Sequence, residues 1–192
     1  PSFEVEFIKH DISNPRVLDL NYGKVDIIFH IAAQSGGYFS LNNSYEDALW
    51  NSVGTMHIVK LAQRLNVKKL IYTSTMAVYG NMENATEKGI VNPISFYGSS
   101  KLSAEYYVKL LKEHNNIPYT IFRLFNCYGP YQNLINMKQG MVSIFLAQYI
   151  RDSQIKVTGS LKRYRDFIYI DDVVNALIYG LNQETSGQIY NV

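Results

Sequence analysis

A single cysteine, Cys127, stands in the 192 residues. No internal disulfide can form, and the expected setting is a reducing compartment. Its neighbours are apolar, which suits a buried thiol better than a reactive one. With no cysteine cluster and only four histidines, all scattered, the chain offers no ligand set for structural zinc. No apolar run approaches the roughly 18 residues of a membrane span, and the first residues lack the layout of a secretion signal. The formal net charge is +2, from 18 basic and 16 acidic side chains. A field that weak holds neither nucleic acid nor an anionic membrane surface. The expectation is a cytoplasmic protein without metal, nucleic acid or membrane among its partners.

What is present is ordinary globular composition, 47% hydrophobic and 18% charged. The length suits one substantial core, as a single domain or a domain with a small appendage. Aromatic residues reach 14%, with 16 tyrosines, which fits either a ring-lined polar cleft or an association surface.

The organisation is an alternation. "FEVEFIKHDI" alternates apolar and polar residues and predicts a strand, and "KVDIIFHIAA" predicts a strand buried on both faces. Apolar spacing predicts a helix over 44–65, with Asn43 or Ser44 as its cap. The strand "KKLIYTST", a helix over 96–114 and the strand "PYTIFRLFN" follow. Beyond the long loop "CYGPYQNLINMKQG" come a helix over 141–151, strands "QIKVTG" and "RDFIYI", a helix over 171–181 and a last strand "GQIYNV". Strands alternating with helices predict an α/β fold with a doubly wound parallel sheet, whose ligands bind beyond the carboxyl ends of the strands.

Several polar residues fall at those ends. Asp11 follows the first strand and suits either an adenine contact or a cap on the turn before Pro15. Ala32, Ala33 and Gln34 follow the second, leaving room for an extended ligand or for a tight crossover. Thr73, Ser74 and Thr75 end the third. Tyr97 and Lys101 lie four apart, on one face of the next helix. An ammonium there would draw the phenol down from about 10 towards the range of a general base, and with Thr75 would form a proton relay around a substrate hydroxyl. Hydride removal from the same carbon is its natural companion. The pair alone reads more readily as an exposed tyrosine and a solvated lysine. Asn126 follows the fourth strand, and Arg165 beside Asp166 offers a fork for phosphate oxygens or a surface ion pair. Asp171 and Asp172 read as caps of the last helix.

In this order, "HIAAQ", "TSTMAVYG", Tyr97-Gly-Ser-Ser-Lys101, "RLFNCYGP" and "RDFIYIDDV" resemble the extended short-chain dehydrogenase/reductase family. More narrowly they resemble its NAD-dependent nucleotide-sugar epimerases and dehydratases, of the UDP-glucose 4-epimerase type. The resemblance implies a Rossmann-like sheet with a partial substrate-binding lobe. It implies Thr75, Tyr97 and Lys101 as the catalytic set. Asp11, Ile12, Ala32, Ala33, Gln34, Asn51 and Thr73, with Tyr97 and Lys101, would contact NAD. Thr75, Asn126, Gln139, Val142 and Arg165 would contact the nucleotide sugar.

Two departures from the family pattern matter. The Asp-Glu pair that its 4,6-dehydratases carry after the catalytic threonine is here Met76-Ala77. These side chains cannot transfer protons, so dehydration is disfavoured. The opening strand–GxxGxxG–helix unit is missing, and the resemblance therefore implies a fragment of a longer protein. The expected division is an NAD-binding domain over 1–130 and a mainly substrate-binding region over 131–192, of which 165–182 return to the first. The expected function is epimerisation at C4 of a UDP-hexose. The alternatives are a related reductase or decarboxylase, or a non-catalytic nucleotide-binding fragment. Helices 44–65 and 96–114, with Leu110, are where the family forms homodimers.

Overall fold

Leu70, Ile71 and Tyr72 are large apolar residues on both faces of one strand, and such a strand is stable only between two layers. In the computed structural model, which describes residues 4–138 and 140–192, that strand is β2 (Lys69–Thr75), buried along its whole length. It lies between β1 (Ile27–His30) and β3 (Tyr119–Leu124), and β6 (Gln188–Asn191) completes a four-stranded sheet in the order β1-β2-β3-β6. Every pairing in it is parallel. β4 (Asn126–Tyr128) and β5 (Phe167–Tyr169) form a separate parallel pair.

Parallel neighbours need long crossovers, and helices provide them. Between β1 and β2 run α1 (Gly37–Asn42), α2 (Ser44–Ala48), a π-helical turn (Leu49–Val53) and α3 (Gly54–Leu65). α4 (Phe96–Asn115) joins β2 to β3, α5 (Met141–Asp152) joins β4 to β5, and α6 (Ile170–Tyr179) follows β5. Leu70, Tyr72, Tyr119 and Ile121 pack against Ile58, Leu61 and Ala62 of α3 and Ala104, Val108 and Leu111 of α4. On the opposite face Ile71 and Phe122 pack against Val173 and Leu177 of α6. Side chains alternate along a strand, so consecutive residues feed two different cores. The sheet is doubly wound, as expected.

α4 carries both Tyr97 and Lys101, so its ends matter. Ser95 caps it, its Oγ accepting from the Gly98 amide at 3.0 Å. Asn116 stops it in the left-handed region at φ 56°.

Four expectations need correction. Residues 4–10 form no ladder, and Val5 and Phe7 are each 85% exposed. Alternation alone makes no strand, because a strand needs a neighbour for its amide and carbonyl groups. "QIKVTG" is exposed and joins no ladder, for the same reason. The helix over 44–65 is interrupted by the π turn, and α1 precedes it in a stretch whose glycines masked it. "RDFIYI" pairs only over Phe167–Tyr169, and its partner is β4, read from sequence as loop. Among the described residues, no helix is long and apolar enough to cross a membrane.

Candidate active site

The carboxyl ends of β1, β2 and β3 open onto a cleft of about 720 Å³. Thr73, Thr75, Tyr97 and Lys101 line it, with Ala33 on one side and Asn126 and Val142 on the other. Thr75 ends β2 and caps the short turn Met76–Tyr79, its Oγ1 accepting from the Ala77 amide at 3.2 Å. Gly98, next to Tyr97, is pressed onto that turn: a Cβ there would stand 2.6 Å from the Ala77 carbonyl oxygen. Glycine at this place lets the start of α4 approach the end of β2.

Tyr97 and Lys101 do meet the cleft together, but not in the manner expected. The Lys101 ammonium is fully enclosed and donates to the Thr73 carbonyl oxygen at 2.7 Å. It sits 4.4 Å above the Tyr72 ring. Burial brings Lys101 down to about 7, opposed by the carboxylates of Glu105 and Asp47. Burial also pushes the Tyr97 phenol up; its hydrogen bond with Thr75 works against this, and the Asp47 charge adds to it. The expected lowering of Tyr97 by Lys101 is therefore corrected. Removing water from a phenolate costs more here than the neighbouring groups return.

Beneath the cleft lies a layer of buried polar residues. The Asp47 carboxylate accepts from the Ser100 hydroxyl at 2.5 Å. Asn51, turned inward by the π turn, donates to Asp47 at 3.3 Å and to Ser100 at 3.1 Å. Its Oδ1 accepts from the Gln34 amide at 2.8 Å, which ties the loop after β1 to α4. Burial pushes Asp47 up, and the Ser100 hydrogen bond and the Lys101 cation oppose it. His30 packs on the Tyr72 ring, and its Nε2 lies 2.8 Å from Thr55 Oγ1. The Thr55 hydroxyl proton goes to the Asn51 carbonyl oxygen at 2.5 Å, so His30 Nε2 is the donor. Burial, assisted by the Lys101 charge, brings His30 down to about 3.

The other expected residues are distributed unevenly. Asp11 and Ile12 do not line the cleft. The Asp11 carboxylate accepts from the Ser13 amide at 2.9 Å and hydroxyl at 2.8 Å, which is the turn-capping alternative. Ile12 packs on Gly54, and its carbonyl oxygen accepts from His57 at 2.8 Å. Asn51 and Gln34 stand behind the lining, while Ala32 is exposed beside it. Arg165 lies on a second cleft of about 620 Å³, which shares Met76, Ala77, Phe125 and Asn126 with the first. Asn126 donates to the Asp166 carbonyl oxygen at 2.7 Å, bringing the two segments together. Gln139 lies outside the described residues. Among the described residues, no group of three histidines, cysteines or carboxylates is placed to hold a metal.

Sequence reasoning passed over Asp47, Ser100, Glu105, Arg123 and His30, all of which are buried. A signal was there for three of them. Arg123 and His30 are polar residues inside apolar strand runs, and Glu105 continues the four-residue spacing of Tyr97 and Lys101.

A family model described as the NAD dependent epimerase/dehydratase family matches residues 2–192. A putative UDP-glucose 4-epimerase of Methanocaldococcus jannaschii is 32% identical over 183 residues, covering 93% of this chain and 60% of that protein. The human dTDP-D-glucose 4,6-dehydratase is 32% identical over 191 residues, covering 97% of this chain and 53% of that protein. Among solved structures, the UDP-glucose 4-epimerase of Thermotoga maritima, crystallised with UDP-glucose, superposes with a TM-score of 0.87 at 28% identity. That match covers 97% of this chain and 62% of the other. The chain thus spans a little over half the length of these relatives.

Proposed function

The chain belongs to the NAD dependent epimerase/dehydratase family, and we propose that it carries the catalytic centre of a nucleotide-sugar epimerase acting at C4 of a UDP-hexose. The observation that carries this reading is the convergence of Thr75, Tyr97 and Lys101 on one cleft at the carboxyl end of β2. Met76 and Ala77, at the mouth of that cleft, have no proton to exchange, which supports epimerisation over dehydration.

The residues fit the family's cofactor. Gln34 Oε1 is buried without a hydrogen-bond partner, and the position a Cβ would take at Gly37 is open space. Ala32, Ala33, Gln34, Thr73, Tyr97 and Lys101 would hold the dinucleotide along this side of the cleft. NAD, when bound, supplies the acceptor and then the donor of the hydride at the sugar carbon.

The protein's own groups handle the proton. At neutral pH, the Tyr97–Lys101 pair is close to giving up its first proton, since Lys101 stands at about 7. Phenol with amine, and phenolate with ammonium, are two forms of the same proton count. The phenolate form takes the proton from the C4 hydroxyl, and Thr75 hydrogen-bonds the same oxygen. The phenol returns the proton after the 4-keto sugar has presented its other face. Asn126 and Arg165, on the adjoining cleft, would hold the diphosphate while the sugar turns. Residues 1–130 would serve the dinucleotide, and 131–192 mainly the substrate, with 165–182 returning to the first. Tyr106 and Leu110, 53% and 46% exposed on α4, support association as a homodimer.

The test is product analysis with UDP-, GDP- and dTDP-sugars, using wild type and Tyr97→Phe. Interconversion of C4 epimers by wild type, abolished in a folded Tyr97→Phe, is expected. Near-wild-type turnover by Tyr97→Phe, or a dehydrated or decarboxylated product from wild type, would overturn the reading.

A further inference from the structure

Arg123 and Glu105 form a fully enclosed ion pair on the α4 side of the sheet, 2% and 0% exposed. We propose that the two are positioning residues, which hold Thr75 and the Tyr97–Lys101 face of α4 in register across the carboxyl end of the sheet. The proposal rests on the reading of Thr75, Tyr97 and Lys101 as the reacting set.

Tyr97, Lys101 and Glu105 follow one another at four-residue steps and share one helix face. Glu105 Oε1 accepts from Arg123 Nε at 2.9 Å, and Oε2 from Arg123 Nη2 at 2.7 Å. Oε1 also accepts from the Ser74 hydroxyl at 2.6 Å. Ser74 sits between Thr73, whose carbonyl holds Lys101, and Thr75, which meets Tyr97. One carboxylate therefore ties α4 to β2 and β3 at the level where the reacting groups leave the sheet.

The guanidinium carries the tie further. Arg123 Nη1 donates to the Tyr79 hydroxyl at 2.8 Å, and the Tyr79 ring lies under the cation at 4.8 Å. Tyr79 closes the turn that starts after Thr75, and its hydroxyl donates to Asn191 Oδ1 on β6 at 2.7 Å. Burial works against the Arg123 cation, but the Glu105 fork and the Tyr79 hydroxyl outweigh it and hold the group above its ordinary value.

A buried ion pair is a weak source of stability, because both charges lose their water. Further along α4, Ala104, Val108 and Leu111 already supply apolar packing. Such packing tolerates small slides of a helix, whereas a bidentate fork has one geometry. The reacting groups on α4 need the second kind of constraint, since proton transfer requires atoms within hydrogen-bond reach.

The test uses the full-length protein with Glu105→Leu/Arg123→Met, which replaces the pair by apolar groups and leaves neither of its own two charges alone. Lys109, 3.9 Å from Glu105 and partly exposed, loses a partner to solvent. Tyr79→Phe is the lighter variant and removes a single oxygen. Each is assayed where circular dichroism shows it fully folded. For the double variant the expectation is a kcat at least tenfold lower, with KM for the sugar nucleotide within twofold. For Tyr79→Phe it is a kcat about threefold lower with KM unchanged. A folded double variant with kcat within twofold of wild type overturns the proposal. If the double variant does not fold, unchanged kcat in Tyr79→Phe overturns it.

A second readout does not depend on turnover. In protein labelled with ¹³C-lysine, the Lys101 ε-carbon, assigned with Lys101→Met, reports the titration of that ammonium. Asp47, Glu105, Tyr97, Tyr72 and His30 surround it, and Glu105 is the partner the double variant removes. Loss of the Glu105 charge lowers the midpoint by itself, so the deciding comparison is Tyr79→Phe, which keeps that charge. A midpoint moved by at least half a unit supports the positioning role, and an unmoved one counts against it. A wild-type protein that turns over no nucleotide sugar would sink the proposed function, and the lysine titration would then decide the positioning role alone.

Discussion

The Lys101 ammonium is bound to the main chain of Thr73, at 2.7 Å from its carbonyl oxygen. Burial there brings the amine down to about 7, against the charges of Glu105 and Asp47.

The first prediction is the pH profile. Below about 7 both Lys101 and Tyr97 are protonated and the site has no base. Above it the pair has lost one proton, while the phenol, pushed above its ordinary value, retains the second. The kcat/KM for the sugar nucleotide should rise with unit slope through about 7 and level off above it. Steady-state rates between pH 5.5 and 9 check this, and a flat profile would contradict it. Lys101→Met should lose the limb together with most of the activity.

Thr75 is expected to act mainly on the chemical step. Thr75→Val removes the hydroxyl that meets Tyr97 and the reacting oxygen, and should lower kcat about 100-fold, the usual loss for one such donor. KM should change little, and Thr75→Ser should recover most of the rate. Parallel kcat and KM measurements on the three proteins separate this from a binding role.

Gly98 tests the approach of α4 to β2. Gly98→Ala drives a methyl to within 2.6 Å of the Ala77 carbonyl oxygen, so the helix or the turn must retreat. Overpacking of this kind costs about 2 kcal/mol. Urea unfolding should show that loss, and kcat should fall because Tyr97 moves with the helix. Wild-type stability in Gly98→Ala would show that the turn gives way freely.

His30 should make the fold sensitive to acid. Its folded value of about 3 lies below the ordinary 6.5, so between those limits the unfolded chain binds more protons than the folded one. Stability then falls as pH drops through that window and levels off below it, by up to about 5 kcal/mol. His30→Gln cannot take up the proton and should flatten the decline. Denaturant midpoints measured from pH 7 to 4 for both proteins would decide it.

Much of the fold was legible because it follows from local rules. The doubly apolar run Leu70–Tyr72 had to be an interior parallel strand, and the spacing through α3 and α4 had to be helical. That Thr75, Tyr97 and Lys101 meet at one cleft was legible from residues at strand ends, once the ordered motifs were read together. Residues 4–10 were misread because alternation describes only one side of a pairing. Asp11 suited both the adenine and the turn readings, and its hydrogen bonds with Ser13 fit the turn.

The sequence by itself determined the class of sheet, the helix that presents Tyr97 and Lys101, and the strand end that presents Thr75. These depend on periodicity and on short spacings along the chain. Only the tertiary structure decided that Lys101 turns to Thr73, that Tyr97 is raised and not lowered, and that Arg123 and Glu105 meet beneath them. Those outcomes depend on burial and on pairing between residues as distant as 18 and 28 positions. A charge's behaviour is set by the water it loses and the partners it gains, and neither is written in its neighbours along the chain.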